Sequence, residues 1–264
     1  MARLKFAMTS LEICVESLES AIAAKQGGAQ RVELCSALSV GGLTPSLGLI
    51  RAVRSRLRIG VNVMIRPRAG DFLYSADEID IMRQDIRLAA EAGADGVVLG
   101  LLTAESDVDV QGTWELVELA SPMEVTFHRA FDMTRNIHAA LEDVIQTGAV
   151  RVLTSGGEAT AMSGSGCIHE LLLAARGRIE LMVGGGVKPE NVAAIADAII
   201  EPHGRSRYKL AFHASLNRPL LTPLGHQAPR IHLGDAGFVV RAEDARALRE
   251  ALDWAETSAT RSPG

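Results

Sequence analysis

The sequence predicts an α/β fold: a (β/α)8 TIM barrel forming one domain. Three observations carry this expectation. Short apolar runs alternate with amphipathic helical patterns at a nearly regular beat along the 264 residues. No break in composition divides the chain, and barrels of about 250 residues are commonly single domains. An open doubly wound sheet would carry a phosphate-binding glycine signature in its first βα turn, but that turn reads Cys14-Val15-Glu16-Ser17.

The elements follow in order. Strands are expected at 11–17, 31–37, 60–66, 96–102, 124–130, 151–155, 179–184 and 209–215, each a short apolar or alternating run. Helices are expected at 18–26, 46–56, 76–92, 113–120, 137–147 and 189–198, with a last one at 242–255 after a long connection. Several close on glycine, as at Gly27-Gly28, Gly93 and Gly148, and Pro189 suits a first helical turn. The barrel core then spans about 11–256 of the single domain 1–264. Two stretches are irregular. RPRAGDFLYS (66–75) is a polar-aromatic loop after the third strand, at the end where barrel active sites sit. Residues 216–237 carry three of the nine prolines and read as an arm, a lid or a partner contact. Residues 258–264 are expected to fray.

Composition narrows the function. A net charge of −5 and 4% aromatic residues lack both the basic footprint and the stacking platform of a nucleic-acid binder. No stretch approaches the roughly 18 apolar residues needed to span a bilayer, and Glu12 interrupts the N-terminal run before a signal-peptide core could form. Cys14, Cys35 and Cys167 are too few and too scattered for a disulfide framework. These features point to a cytoplasmic protein whose partners are small.

Period-two alternation sorts the strand residues onto two faces. Leu11, Ile13 and Val15 oppose Glu12, Cys14 and Glu16; Val32 and Leu34 oppose Glu33 and Cys35. Val61, Val63 and Ile65 oppose Asn62, Met64 and Arg66; Val125 and Phe127 oppose Thr126 and His128; Leu210 and Phe212 oppose His213 and Ser215. With the apolar set against the helices, Glu12, Glu16, Glu33, Arg66, His128 and His213 converge inside the barrel. A salt-bridge network fixing register is one reading. Because burying ions costs several kcal/mol each, a functional pocket is the other, and Glu12, Glu33, Arg66, His128 and His213 are its candidate catalytic residues.

Cys14 and Cys35 point inward from neighbouring strands, which lie about 4.8 Å apart. If the register brings them together, they can share a soft ion such as Cu(I), with His128 or His213 as further ligands. Without a C-x-x-C spacing they also read as small core residues. Two glycine clusters close strands: Ser155-Gly156-Gly157 and Gly184-Gly185-Gly186. Barrels often hold anions on bare backbone N–H groups at this rim, where Arg218 could assist; alternatively the glycines only relieve crowding.

The segments EICVES (12–17), RVELCSALSVGGLTPSLGLI (31–50), VMIRPRAGDFLYS (63–75), DIRLAAEAGADGVVLGLLT (85–103), VTFHRAFDM (125–133), RVLTSGG (151–157) and MVGGGVKPENV (182–192) resemble the CutC copper homeostasis protein family. The likeness covers most of 11–215, fades beyond Leu216, and has Asn217 where the family tends to carry an arginine. The resemblance implies a cytoplasmic homo-oligomeric TIM barrel linked to copper tolerance, with Cys14 and Cys35 as its Cu(I) ligands. The other function in view is an enzyme acting on a small anionic or polyhydroxylated metabolite. There Glu33 or Glu12 is the general base, His128 the general acid and Arg66 the clamp on a carboxylate or phosphate. A scaffold using the 216–237 arm is a third reading.

Overall fold

The structure is a computed structural model and describes residues 9–200, 209–219 and 237–258. Most of the 216–237 arm and the 258–264 tail lie outside the described residues. Eight parallel strands close in chain order into a barrel. They are β1 (Ser10–Val15), β2 (Arg31–Leu34), β3 (Gly60–Met64), β4 (Gly96–Leu99), β5 (Glu124–Phe127), β6 (Arg151–Thr154), β7 (Glu180–Val183) and β8 (Leu210–Ala214). A short antiparallel ribbon, β9 (Arg218–Pro219) with β10 (Phe238–Val239), follows the barrel.

The helices are α1 (Leu18–Gln26), α2 (Leu47–Arg56), α3 (Ala76–Glu91), α4 (Val110–Ala120), α5 (Ile137–Gln146), α6 (Ser165–Ala175), α7 (Val192–Ile199) and α8 (Ala242–Ser258). Short polar side chains start several of them. Ser17, Ser46, Asp109 and Asn136 each accept a first-turn backbone N–H, and Ser75 forms a reciprocal box with Glu78. Helix α6 was not among the expected helices. Its start, Ser163-Gly164-Ser165-Gly166, reads as a loop, and Gly164 supplies no side-chain cap.

The expected partition of strand faces is realised, with one refinement. Ile13, Val32, Val63, Leu99, Phe127, Leu181 and Phe212 pack outward with Ile86, Leu116 and Leu141 of the helices in one continuous core. Burying a residue of this size contributes about 1.5–3 kcal/mol. The barrel interior holds the polar set together with two small apolar clusters, Cys14–Cys35–Met64–Val98 and Leu153–Met182–Ala211. The interior is therefore mixed rather than wholly polar.

Charges tile the floor of the barrel, at the N-terminal ends of the strands. Arg31 Nε meets Glu12 Oε2 at 3.3 Å and its Nη2 meets Glu180 Oε2 at 3.3 Å. Arg151 binds Glu180 through Nε, Glu124 at 3.0 Å and Thr126 Oγ1 at 3.0 Å. Asn62 Nδ2 donates to Glu12 Oε2 at 2.8 Å. No helix among the described residues is long and apolar enough to cross a membrane.

Candidate metal centre in the barrel

The register decides which interior side chains meet. Across β1 and β2 it pairs Cys14 with Glu33, and across β1 and β8 it pairs Glu12 with His213. Cys35 lies just past β2, where its N–H donates to Val15 O at 2.9 Å. The two cysteines are diagonal neighbours, not direct partners. Their sulfurs nevertheless approach to 3.8 Å, and both are buried. Gly42 makes room for this: a Cβ there would sit 3.1 Å from Cys35 Sγ, and its φ of +89° is itself glycine's territory.

A second set of donors meets Cys14. Ligand atoms of Cys14, Glu33 and His213 lie within 4.8 Å of one another. His213 Nδ1 is 3.0 Å from Glu12 Oε1, and its Nε2 is 3.7 Å from Glu33 Oε2. Cys35 Sγ lies 3.6 Å from that same Glu33 oxygen.

The electrostatics follow from burial. Contact with Cys35 and desolvation push the Cys14 thiol well above its usual range. Against the lowering effect of its hydrogen bond with Cys14, desolvation and the Glu33 charge push Cys35 up to about 12. Desolvation also raises Glu33, while its hydrogen bond from His213 and the charges of His213 and Arg31 hold Glu12 down at about 2, against the cost of burial. The neighbouring carboxylates outweigh desolvation at His213 and raise it. Both thiols are therefore protonated when the site holds no ion.

The other candidates sit elsewhere. His128, at the end of β5, accepts the Ala130 N–H on Nδ1 at 3.2 Å, and its ring lies 4.7 Å from that of Phe72 in the 66–75 loop. Gly100 is required beside it, since a Cβ there would come within 2.5 Å of Nδ1. His128 does not join the cluster around Cys14. Desolvation and the Arg66 charge lower its pKa to about 3, so at physiological pH it is the neutral imidazole, a hydrogen-bond donor, and not the imidazolium that a general acid would use. Arg66, the expected clamp, is held by loop carbonyls and keeps a buried Nε that has no partner among the described residues. Its guanidinium donates to the carbonyls of Val40, Gly42 and Gly70 at 3.0, 3.1 and 2.8 Å, tying the loops after β2 and β3 together. Glu16 similarly accepts the N–H groups of Leu38 and Phe238 at 3.1 and 3.0 Å, joining loops at the rim.

A depressed histidine stabilises the fold above its unfolded pKa of about 6.5, and that contribution is lost as pH falls toward the folded value of about 3. Denaturant midpoints measured between pH 7 and pH 4 are expected to fall more steeply for the parent protein than for His128→Asn. Parallel curves would contradict a buried neutral His128.

The β6 half of the expected anion cradle is filled from within the chain. Asp132, in the turn after β5, accepts the N–H groups of Ser155 (3.0 Å) and Gly157 (3.1 Å) and the hydroxyls of Thr154 (2.5 Å) and Ser155 (3.0 Å). Gly156 N–H goes to Thr154 Oγ1 at 2.8 Å. An internal carboxylate thus fills the β6 half. In the β7 half, Gly184 N–H is spent on Thr154 O at 3.0 Å, while Gly185 and Gly186 are engaged through their carbonyls, which accept from Ala161 and Asn191, and not through their N–H groups. Arg218 is paired with Asp244 at 2.5 Å. Inorganic phosphate tests the β7 half: an unchanged melting temperature would remove an anion site there, since only a ligand that binds the folded state shifts it. A concentration-dependent rise would instead place an anion on Gly184–Gly186.

Sequence reasoning passed over Arg31, Arg151 and Glu180, the charged residues of the floor. Parity was the available signal: Arg31 shares a face with Glu33 and Cys35, and Glu180 with Met182.

Comparison with known proteins settles the lineage. The CutC family model matches residues 9–207. The chain belongs to the CutC family. A CutC family protein of Chromobacterium violaceum is 47% identical over 251 residues, covering 93% of this chain and 98% of that protein. The human copper homeostasis protein cutC homolog is 49% identical over 187 residues, 71% of this chain and 68% of its own length. A crystal structure described as the putative copper homeostasis protein CutC from Streptococcus agalactiae superposes with a TM-score of 0.71 at 33% identity, covering 79% of this chain and 99% of that one. The family model itself ends just before β8, whereas the likeness to the Chromobacterium relative, at 93% of this chain, extends over β8 as well.

Proposed function

We propose that this CutC-family barrel takes part in copper homeostasis by binding Cu(I) through Cys14 and Cys35, with His213 as a third donor. The observation that carries the reading is the 3.8 Å approach of two buried sulfurs. Soft thiolates select Cu(I) over the harder divalent ions. Two metal–sulfur bonds of about 2.3 Å would hold the sulfurs about 4.6 Å apart if collinear. A separation of 3.8 Å fits a bent pair that leaves room for another ligand. His213 is the imidazole whose ring reaches Cys14, and His128 is not. Loading exchanges thiol protons for the ion, so binding releases protons. The copper homeostasis names of the human relative and of the streptococcal structure support the same reading.

X-ray absorption on the Cu(I)-loaded protein tests it. Two sulfur neighbours and one nitrogen or oxygen neighbour are expected, and the light neighbour should disappear in His213→Ala. A copper environment without sulfur would overturn the assignment.

One observation favours a second reading, an enzyme acting on a small anionic or polyhydroxylated metabolite. Among the described residues, Glu33 Oε1, Arg66 Nε and His128 Nε2 are buried without a hydrogen-bond partner, a costly state that a bound ligand would relieve. In that reading Glu33 is the base, and neutral His128 supplies a hydrogen bond. A metabolite retained through metal-free purification, together with a copper spectrum lacking sulfur, would favour it.

A further inference from the structure

We infer that Glu12 is a positioning residue that aims His213 at the thiol site: its carboxylate grips one ring nitrogen so that the other faces Cys14 and Glu33. This inference rests on the Cu(I) reading above.

Glu12 is fully buried and held from three sides. Oε2 accepts from Asn62 Nδ2 at 2.8 Å and from Arg31 Nε at 3.3 Å. Oε1, left over by those two bonds, meets His213 Nδ1 at 3.0 Å. The backbone enforces the contact, because Glu12 is register partner to His213 on one side and to Arg31 on the other. Arg31 is itself tied to Glu180, which binds Arg151. The carboxylate therefore rests on a lattice of charges from β2, β6 and β7 and cannot swing away.

An ionised carboxylate only accepts hydrogen bonds, so the hydrogen on the His213 side of this contact belongs to Nδ1. Nε2 is then the nitrogen available to an ion, and it is the one 3.7 Å from Glu33 Oε2. A carboxylate behind an imidazole in this way fixes its tautomer and plane, and its loss typically weakens metal binding about 10–100-fold. A purely structural Glu12 would serve Arg31 and Asn62 alone and would leave His213 unconstrained.

A double-mutant cycle read by Cu(I) competition titration distinguishes the two roles. Glu12→Gln is expected to weaken Cu(I) binding about tenfold or more, and to add almost nothing in a His213→Ala background. Equal losses in both backgrounds, or no loss in the first, would overturn the inference. A measurement on the unaltered, metal-free protein stands beside the cycle in case Glu12→Gln fails to fold. In ¹⁵N spectra of the His213 ring, recorded at a pH high enough for the ring to carry a single proton, that proton should sit on Nδ1, and a ring protonated on Nε2 or averaging between the two nitrogens would overturn the inference. If the parent protein binds no Cu(I), the copper reading fails by itself, and the ring-nitrogen spectrum still decides whether Glu12 orients His213.

Discussion

Arg151→Met is expected to lower the unfolding free energy by about 3–5 kcal/mol, the cost of breaking a buried ion pair by removing one partner. Arg151 is 4% exposed and joins three strands, binding Glu180 on β7 and Glu124 and Thr126 on β5. Methionine keeps much of the length and apolar volume, so packing is nearly conserved and the charge is what changes. Its removal leaves Glu180 to share Arg31 with Glu12, and leaves Thr126 Oγ1 without its donor. Removing Glu180 as well, in an Arg151→Met, Glu180→Leu pair, should recover part of the loss, because replacing both members of a buried pair by apolar groups is often close to neutral. Denaturant midpoints at constant slope measure both. A single-variant loss under about 1 kcal/mol would mean that the floor behaves as an exposed ion pair and does not hold the barrel register.

The fold was legible because each of its rules acts locally. Alternation in β1, β2, β3, β5 and β8 announces which face turns inward, and capping serines mark helix starts. The limits of that legibility are equally physical. Parity assigns a face but not a depth, so it places Cys14 and Cys35 inside without revealing that β1 pairs Cys14 with Glu33. That depth depends on strand stagger around the closed barrel, which no single strand encodes. Arg66 starts on the inward face, but its long side chain turns to loop carbonyls contributed by Val40, Gly42 and Gly70. The Gly156–Gly157 turn looks like an anion cradle until Asp132 arrives from the turn after β5, more than twenty residues away. Helix α6 escaped because Gly164 and its neighbours carry turn chemistry where a cap was sought.

The largest functional effect belongs to the thiols. Serine replaces a soft sulfur with a hard oxygen at nearly the same volume, so Cys14→Ser and Cys35→Ser each remove one soft donor with little disturbance of the barrel. Each is expected to weaken Cu(I) binding by more than about 100-fold, beyond the range that outer partners of a metal ligand command. Cys167→Ser is the control, because Cys167 lies on α6 and packs against the outer core. The decisive measurement is a Cu(I) competition titration of the parent protein, the Cys167→Ser control and the Cys14→Ser, Cys35→Ser double variant against a chelator of known affinity. The account predicts tight one-to-one binding in the first two and its loss in the double variant; undiminished binding without both sulfurs would contradict it.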